Sequence, residues 1–300
     1  MNAARRMSIL GPMRLPFLIL TPACVLLGIA TAAWSETELN LRYLVLAIVG
    51  AVLAHISVNS LNEYHDFKSG LDFTTRRTPF SGGSGTLPER PEMAHLALII
   101  GLVTLGVVAL IGIYFLYVRG LWLLPLGLLG LVVVVTYTRW MTRSPFLCLI
   151  SPGIGFGTLM VMGTDFVLTG SYSWTAFVAS LVPFFLVNNL LLLNQFPDVE
   201  ADEKIGRRHL PIVIGKKASL AVYVAFLSGA YVSVIMGYLS GIFPLGSLLV
   251  LCSLVFAVPI VMNVGRHADD VSKLIPYLSK NVIVVVLTPV LLAIGLFIGW

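Results

Sequence analysis

Residues 174–194 read WTAFVASLVPFFLVNNLLLLN, a run of 21 positions without a charged side chain. A helix needs roughly 20 mainly apolar residues to cross the hydrocarbon core of a bilayer, so this run is long enough to span it. The segment that follows at once, residues 194–211, reads NQFPDVEADEKIGRRHLP. An apolar run therefore leads directly into acids and bases, which predicts a membrane helix that ends at a polar site.

The composition of the whole chain is that of a membrane protein. Of its 300 residues, 58% are hydrophobic and 11% are charged, and the mean hydropathy is +0.95. Soluble domains carry about 25% charged residues. No polar stretch is long enough to fold alone, so we expect residues 1–300 to form one domain. The net charge of +5 does not indicate a nucleic-acid partner, because the basic residues are scattered between apolar segments.

Nine segments are apolar and long enough to be transmembrane helices. They are Pro16–Trp34, Tyr43–Leu61, His95–Val118, Leu121–Tyr137, Phe146–Leu168, Trp174–Asn194, Ala218–Leu239, Phe243–Val264 and Val282–Trp300. The first follows arginines, as a signal peptide does, but its apolar run is longer than usual and we expect it to be retained. The expected fold class is an all-α membrane protein with nine transmembrane helices in a bundle.

The distribution of lysine and arginine predicts the orientation of these helices. All but two of the 19 lysines and arginines fall in the N-terminal segment, with Arg5 and Arg6, or in the loops after the second, fourth, sixth and eighth segments. Only Arg42 and Arg119 fall on the other side. Because basic loops stay in the cytoplasm, we expect a multi-pass inner (plasma) membrane protein with a cytoplasmic N-terminus and with Trp300 outside. Function is then expected in the two long cytoplasmic loops.

The first of these loops carries a polar motif. Residues 62–85 read NEYHDFKSGLDFTTRRTPFSGGSG. If the second helix continues to Asp66, then His55, Asn59, Asn62 and Asp66 lie on one helix face. A polar stripe on a membrane helix must face the protein interior or a water-filled cavity. Asp72 follows in the same loop.

The second loop repeats the pattern after the sixth segment. Asn194, Asp198 and Asp202 are four residues apart, so a continued helix would place them on one face, although Pro197 could mark a kink or a helix start. Each motif has Asn-x-x-x-Asp, a later Asp, a basic pair and a proline. Since an even number of helices separates them, the halves form a parallel internal repeat, which brings both motifs over one central cavity.

Two facing sets of carboxylates are suited to a diphosphate bound through magnesium. Mg²⁺ prefers oxygen ligands and is typically held by one or two carboxylates plus substrate phosphates. Nearby cations, among them Arg76, Lys204 and Arg207, can bind the remaining phosphate oxygens. Stabilising charge on this leaving group lets an allylic carbon–oxygen bond ionise.

Over nearly the whole chain, both motifs and their loops resemble the UbiA superfamily of intramembrane prenyltransferases. The spacing of the first motif and the text TRRTPFSGGSGTLP favour the MenA-like branch, the 1,4-dihydroxy-2-naphthoate prenyltransferases. The chain departs from the pattern at Glu63, where aspartate is common, and at His209, where Thr or Ser is usual. The resemblance implies a helical bundle in membrane lipids with a lateral opening and Mg²⁺ dependence. It also implies an allylic isoprenoid diphosphate donor and an aromatic acceptor of quinone biosynthesis, here 1,4-dihydroxy-2-naphthoate.

The resemblance also implies roles for particular residues. The metal and diphosphate positions are Asn62, Asp66, Asp72, Asn194, Asp198 and Asp202. Arg14 matches a basic position near the diphosphate, and Tyr137 and Arg139 match a Tyr and a basic residue near the reacting carbon and phosphate. The catalytic candidates are Asp66, Asp198, Tyr137 and His55. His55 would act as a general base for the acceptor, or else it is an interhelical histidine with satisfied hydrogen bonds.

Several alternatives stay open at this point. A terpene cyclase of the same superfamily, or a prenyltransferase for another lipid or aromatic acceptor, would use the same acids. A secondary transporter is less favoured, because its acids would lie near the midplane on broken helices. Gly82, Gly83 and Gly85 could bind phosphate through their backbone or form a lid or a linker. Gly153 and Gly157 predict close helix packing. Asp165 is expected to make a local polar contact.

Overall fold

The fold is built from apolar helices. The structure is a computed structural model that describes residues 10–35 and 38–299, and every regular element within these ranges is helical. Among the described residues, eight helices are long and apolar enough to cross a membrane, and one further apolar helix is shorter. They are α1 (Gly11–Trp34), α2 (Leu41–Ser69), α3 (Pro91–Arg119), α4 (Leu121–Thr136, the shorter one), α5 (Pro145–Thr169), α6 (Trp174–Asn194), α7 (Gly215–Leu239), α8 (Leu245–His267) and α9 (Val271–Ile298). The expected all-α, multi-pass membrane class is confirmed.

Two helices extend beyond the apolar segments because polar residues continue them. α2 continues past the predicted end at Leu61 and stops at Ser69, because Gly70 follows with a left-handed φ of 82°. The side chain of Asp270 accepts from the backbone N–H groups of Ser272 and Lys273 and so starts α9 well before the predicted segment. Arg5, Arg6 and Trp300, which entered the orientation argument, lie outside the described residues.

The helices differ in how deeply they are packed. α6 contacts α5, α7 and α9. In an 18-residue apolar stretch of α6, 67% of the residues are buried inside the protein, whereas in the equivalent stretch of α3 the buried share is 11%. α3 packs mainly against α2, and α4 lies against α2, α3 and α5. Large apolar side chains such as Leu110, Trp122 and Leu128 are exposed on α3 and α4. These two helices therefore present their outer faces to lipid.

The contact between α5 and α6 is close because glycine lies at the crossing. A Cβ on Gly153 would lie 2.2 Å from the carbonyl oxygen of Phe184, and a Cβ on Gly157 would lie 2.4 Å from the backbone nitrogen of Phe184. No larger residue fits at such distances, so the predicted packing role of Gly153 and Gly157 is confirmed. The contact fixes the path of α6, which carries the second motif at its end.

Candidate active site

The first motif lies on a continuous helix and the turn after it. α2 runs through Asn62 and Asp66 to Ser69, as predicted. Gly70 then reverses the chain, and Asp72 falls in the short 3-10 turn Leu71–Phe73. Asp66 and Asp72 are both buried. The turn brings the third residue of the motif back toward the helix that carries the other two.

The second motif has a different backbone. α6 ends at Asn194, residues 195–198 form a turn, and the short helix Val199–Lys204 begins after Asp198. Of the two possibilities that the sequence left open here, a continued helix or a break at Pro197, the structure has the break. Pro197 has no backbone N–H, and its ring would clash with the preceding helical turn. Asp202 still lies close to Asp198, because its N–H donates to the carbonyl of Asp198 at 2.9 Å.

Both motifs line one cavity of about 800 Å³. Its lining includes all six predicted metal-site residues, together with Arg14, His55, Tyr137 and Arg207. These polar residues define what we term the polar end of the cavity. The cavity continues as a mostly apolar passage whose walls come mainly from α2, α3, α4 and α5, with further apolar side chains from α1, α6 and α9. On α2 the lining extends from Leu46 to Asp66, which corresponds to about 30 Å of helix.

Arg207 links the two motifs. Its guanidinium donates to Oδ1 of Asp202 at 2.9 Å and to Oδ1 of Asp66. Burial alone would lower the pKa of Arg207, but the charges of Asp66 and Asp202 together raise it. Nε2 of His209 lies 3.0 Å from the second oxygen of Asp202. The second loop is thereby fastened to α2 by a charged bridge.

Three buried oxygens of the two motifs have no hydrogen-bond partner within the described residues. They are Oδ2 of Asp72, Oδ1 of Asn194 and Oδ1 of Asp198. Burial, followed by the charge of Asp66, raises the pKa of Asp72 to about 7. Burial, followed by the charge of Asp202, raises the pKa of Asp198 to about 7. Such carboxylates are stabilised by a cation.

This set of oxygens fits Mg²⁺, which takes oxygen ligands and usually completes its coordination with water and substrate phosphates. In the part of the chain that the structure describes, no three Asp, Glu, His or Cys side chains are grouped closely enough to hold a metal ion by themselves. The amide oxygen of Asn194 and the carboxylates of Asp72 and Asp198 are the buried motif oxygens that remain free to bind a cation among the described residues.

The predicted cations fall into two groups. Arg14 and Arg207 line the cavity, whereas Arg76 and Lys204 are exposed and do not. Lys204 is two residues from Asp202 on a short helix and so lies on nearly the opposite face. Arg139 lines a smaller recess of about 220 Å³, which shares Asp66 and Arg207 with the cavity. The structure thus brings two of the five predicted diphosphate-binding cations to the polar end.

Tyr137 and His55 lie on different walls of the cavity. Tyr137 follows the last residue of α4, and this end of α4 is tied to α2 by a bond from Nδ2 of Asn62 to Oγ1 of Thr138 at 3.1 Å. Nδ1 of His55 lies 2.8 Å from Oγ1 of Thr21. His55 therefore has an interhelical partner and also faces the cavity, which is compatible with both interpretations of this residue.

Two acids outside the metal set have clear structural partners. Asp165 accepts from Oγ of Ser173 at 3.1 Å, which confirms the predicted local contact. Glu63 is fully buried and binds Arg14 and Ser84. The sequence marked Glu63 only as a departure from the usual aspartate, because its partners are distant along the chain.

A membrane-embedded helical bundle with two acidic motifs at one end of a long apolar cavity is suited to a ligand that joins an apolar chain to an anionic head. Residues 20–280 match the UbiA prenyltransferase family, and the chain belongs to this family. The resemblance to the UbiA superfamily is thereby confirmed.

Two curated relatives support the branch. The chain is 30% identical over 215 residues to the 1,4-dihydroxy-2-naphthoate octaprenyltransferase of Bacillus subtilis, covering 70% of this chain and 67% of the relative. It is 25% identical over 294 residues to the protein of the same name from Escherichia coli, covering 97% and 94%. A UbiA homolog from Archaeoglobus fulgidus, solved bound to GPP and Mg²⁺, superposes with a TM-score of 0.67 at 15% identity, covering 97% and 99%. This last likeness shows a shared fold.

Proposed function

We propose that this protein is a Mg²⁺-dependent prenyltransferase that transfers the prenyl group of an allylic isoprenoid diphosphate to 1,4-dihydroxy-2-naphthoate in quinone biosynthesis. The observation that carries the proposal is the cavity, which joins two acidic motifs to a long apolar passage. A prenyl diphosphate has the same two parts. The acceptor is inferred from the names of the relatives in B. subtilis and E. coli, and the GPP and Mg²⁺ bound to the A. fulgidus homolog support the donor and the metal.

The donor binds with its diphosphate at the polar end. The oxygens that would hold Mg²⁺ come from both motifs: Asn62, Asp66 and Asp72 on one side, and Asn194, Asp198 and Asp202 on the other. Bound Mg²⁺ neutralises the diphosphate and stabilises charge on the leaving group. Arg14 and Arg207 donate to phosphate oxygens. The prenyl tail occupies the apolar passage, where its burial removes apolar surface from water.

The reaction begins when the carbon–oxygen bond breaks and the diphosphate leaves with the electron pair. Tyr137 lines the polar end of the cavity, where its ring face can stabilise the allylic cation. The surrounding helices exclude water, which would otherwise convert the cation to an alcohol. The electron-rich ring of the acceptor attacks, and His55 is placed to take up a proton. The attacked ring carbon then loses its proton, or its carboxyl group as CO₂, and the bonding electron pair returns to the ring and restores aromaticity.

An assay with defined substrates tests this function. The purified protein, in lipid nanodiscs, is incubated with Mg²⁺, dihydroxynaphthoate and prenyl diphosphates of several lengths, and products are analysed by mass spectrometry. We expect a prenylated naphthol, whose formation stops in excess EDTA. Full turnover in EDTA would contradict the metal site. A cyclised hydrocarbon formed without acceptor would instead identify a terpene cyclase.

We also propose that the whole chain acts as one domain in the inner membrane, with its N-terminus and both motif loops cytoplasmic and Trp300 outside. The separation of basic residues between the two sides supports this orientation. Single cysteines at Ser69 and Ser171, in a variant without the three native cysteines, should react with an impermeant maleimide from opposite sides. Labelling of both from one side would contradict the proposed topology.

A further inference from the structure

Glu63 carries a buried charge that the proposed metal site does not use. It lies on α2 between two cavity-facing positions of the first motif, and its side chain is fully buried. Asn62 and Asp66 line the cavity, whereas Glu63 does not. One helical step turns a side chain by about 100°, so Glu63 points away from the positions of its neighbours. A buried carboxylate is costly unless its oxygens are paired.

The oxygens of Glu63 are paired by two other segments of the chain. Oε1 accepts from Nε of Arg14 at 2.6 Å and from the backbone N–H of Ser84 at 2.7 Å. Oε2 accepts from Oγ of Ser84 at 2.7 Å. Arg14 belongs to the start of α1, and Ser84 belongs to the glycine-rich loop after α2. One carboxylate therefore joins three segments around the polar end.

The loop that Glu63 holds forms part of the cavity wall. Gly82 and Gly83 line the cavity, with φ angles of 82° and 73° that favour glycine. A Cβ on Gly83 would lie 3.0 Å from Oδ1 of Asp72 and 3.4 Å from Oε1 of Glu63. The backbone of this loop therefore lies directly against an acid of the proposed metal site.

Arg14 is held in place from two sides. Its backbone has a φ of 50°, a left-handed conformation that is unusual for a residue other than glycine. Nδ2 of Asn59 donates to the carbonyl of Met13 at 3.0 Å, which fixes the chain just before Arg14. Nε of Arg14 donates to Glu63, and Arg14 lines the cavity. Its Nη groups can therefore donate to a ligand there.

We propose that Glu63 is a positioning residue and not a metal ligand. Its carboxylate holds Arg14 and the loop Gly82–Gly85 at the polar end, so that the guanidinium and the loop backbone meet the diphosphate. Glutamate suits this position because its extra methylene, compared with aspartate, lets it reach Arg14 and Ser84 together. The ligand in this inference rests on the proposed function, but the linkage of the three segments does not.

Limited proteolysis tests the linkage without any activity. Trypsin is added to the membrane-embedded full chain, and cleavage after the exposed Arg76 and Arg77 is followed. Glu63→Gln and Glu63→Asp should each speed cleavage about tenfold, because cleavage follows the population of the released loop. Glu92→Gln, an exposed carboxylate of the same region, is the control and should not change the rate. An unchanged rate in both Glu63 variants would overturn the inference.

Kinetics then separate positioning from metal binding. Glu63→Gln should raise the KM for the prenyl diphosphate about tenfold, with little change in kcat or in the Mg²⁺ concentration for half-maximal rate. Adding Arg14→Gln should raise KM little further, because Glu63 acts through Arg14 and the loop. A shift in the Mg²⁺ requirement would place Glu63 among the metal ligands and overturn the proposal. If the wild type transferred no prenyl group, the proposed function would fail, while the proteolysis result would still decide the linkage.

Discussion

The two acidic motifs place the same residue types at the same cavity on different backbones. The first lies on α2, which continues as a helix through Asn62 and Asp66. The second begins where α6 stops, and Asp198 precedes a separate short helix. Helical spacing therefore positions Asn62 and Asp66, and a tight turn at Gly70 adds Asp72. The second motif depends on contacts with other segments, chiefly the bonds from Arg207 to Asp66 and Asp202. The comparison indicates that the site constrains the oxygens and not the secondary structure that carries them.

The largest effect is expected from removing one carboxylate of either motif. Asp66→Asn and Asp198→Asn should each lower kcat about 10²–10³-fold, because each would lose an oxygen charge that stabilises the leaving diphosphate. Turnover is measured with purified protein at saturating Mg²⁺, and folding is checked by thermal unfolding. Glu200→Gln, an exposed carboxylate next to the second motif, is the control. If only one of the two substitutions lowered kcat, the metal would be held by one motif and not by both.

A smaller effect is expected from breaking the bridge between the motifs. Arg207→Gln should lower activity about 10–100-fold, since it orients two proposed metal ligands. It should also lower the stability of the metal-free protein by about 3 kcal/mol, because two buried carboxylates lose their partner. Added Mg²⁺ should recover part of that stability.

The matched variant for this bridge is Lys204→Gln, which removes an exposed cation from the same loop. We expect it to leave both activity and melting temperature unchanged. Equal effects of the two substitutions would mean that overall loop charge, and not the specific bridge, holds the second motif.

The next largest effect, on stability, is expected from disturbing the contact between α5 and α6. Gly157→Ala should destabilise the protein by about 1–3 kcal/mol, because the added methyl would overlap the backbone of Phe184. Gly155→Ala, where a Cβ would meet only Val133 at 4.0 Å, should be near neutral. Thermal unfolding in detergent compares the two. Equal melting temperatures would show that the second motif does not depend on this helix contact.

The smallest effect is expected at Pro197. The turn after α6 is also held by a bond from the N–H of Asp198 to the carbonyl of Gln195 at 3.1 Å. Pro197→Ala should therefore lower stability by only about 0.4–1 kcal/mol, through the greater freedom of the unfolded chain. Measured activity should stay close to that of the wild type. Loss of activity comparable to that of Asp198→Asn would show that the proline itself keeps the motif out of the helix.

Much of the fold could be predicted because membrane spans depend on local properties. Apolar length identified every long helix, and glycine spacing identified the α5–α6 contact. Apolar length did not locate the polar first part of α9, which Asp270 starts through its side chain. Apolar length did indicate that α4 is short, because Leu121–Tyr137 is the shortest of the nine predicted segments and α4 ends at Thr136. The ends of the longer helices depend on capping and packing.

The sequence by itself determined the membrane class, the family and the acids of the candidate site, because these follow from composition and from spacings of a few residues. It could not determine which cations reach the cavity. Arg207 and Lys204 belong to one loop, yet only Arg207 meets Asp66, which lies 141 positions away. Glu63 likewise acquires its role from Arg14, at a separation of 49 positions. Such partners are set by the packing of whole helices, so only the tertiary structure decides them.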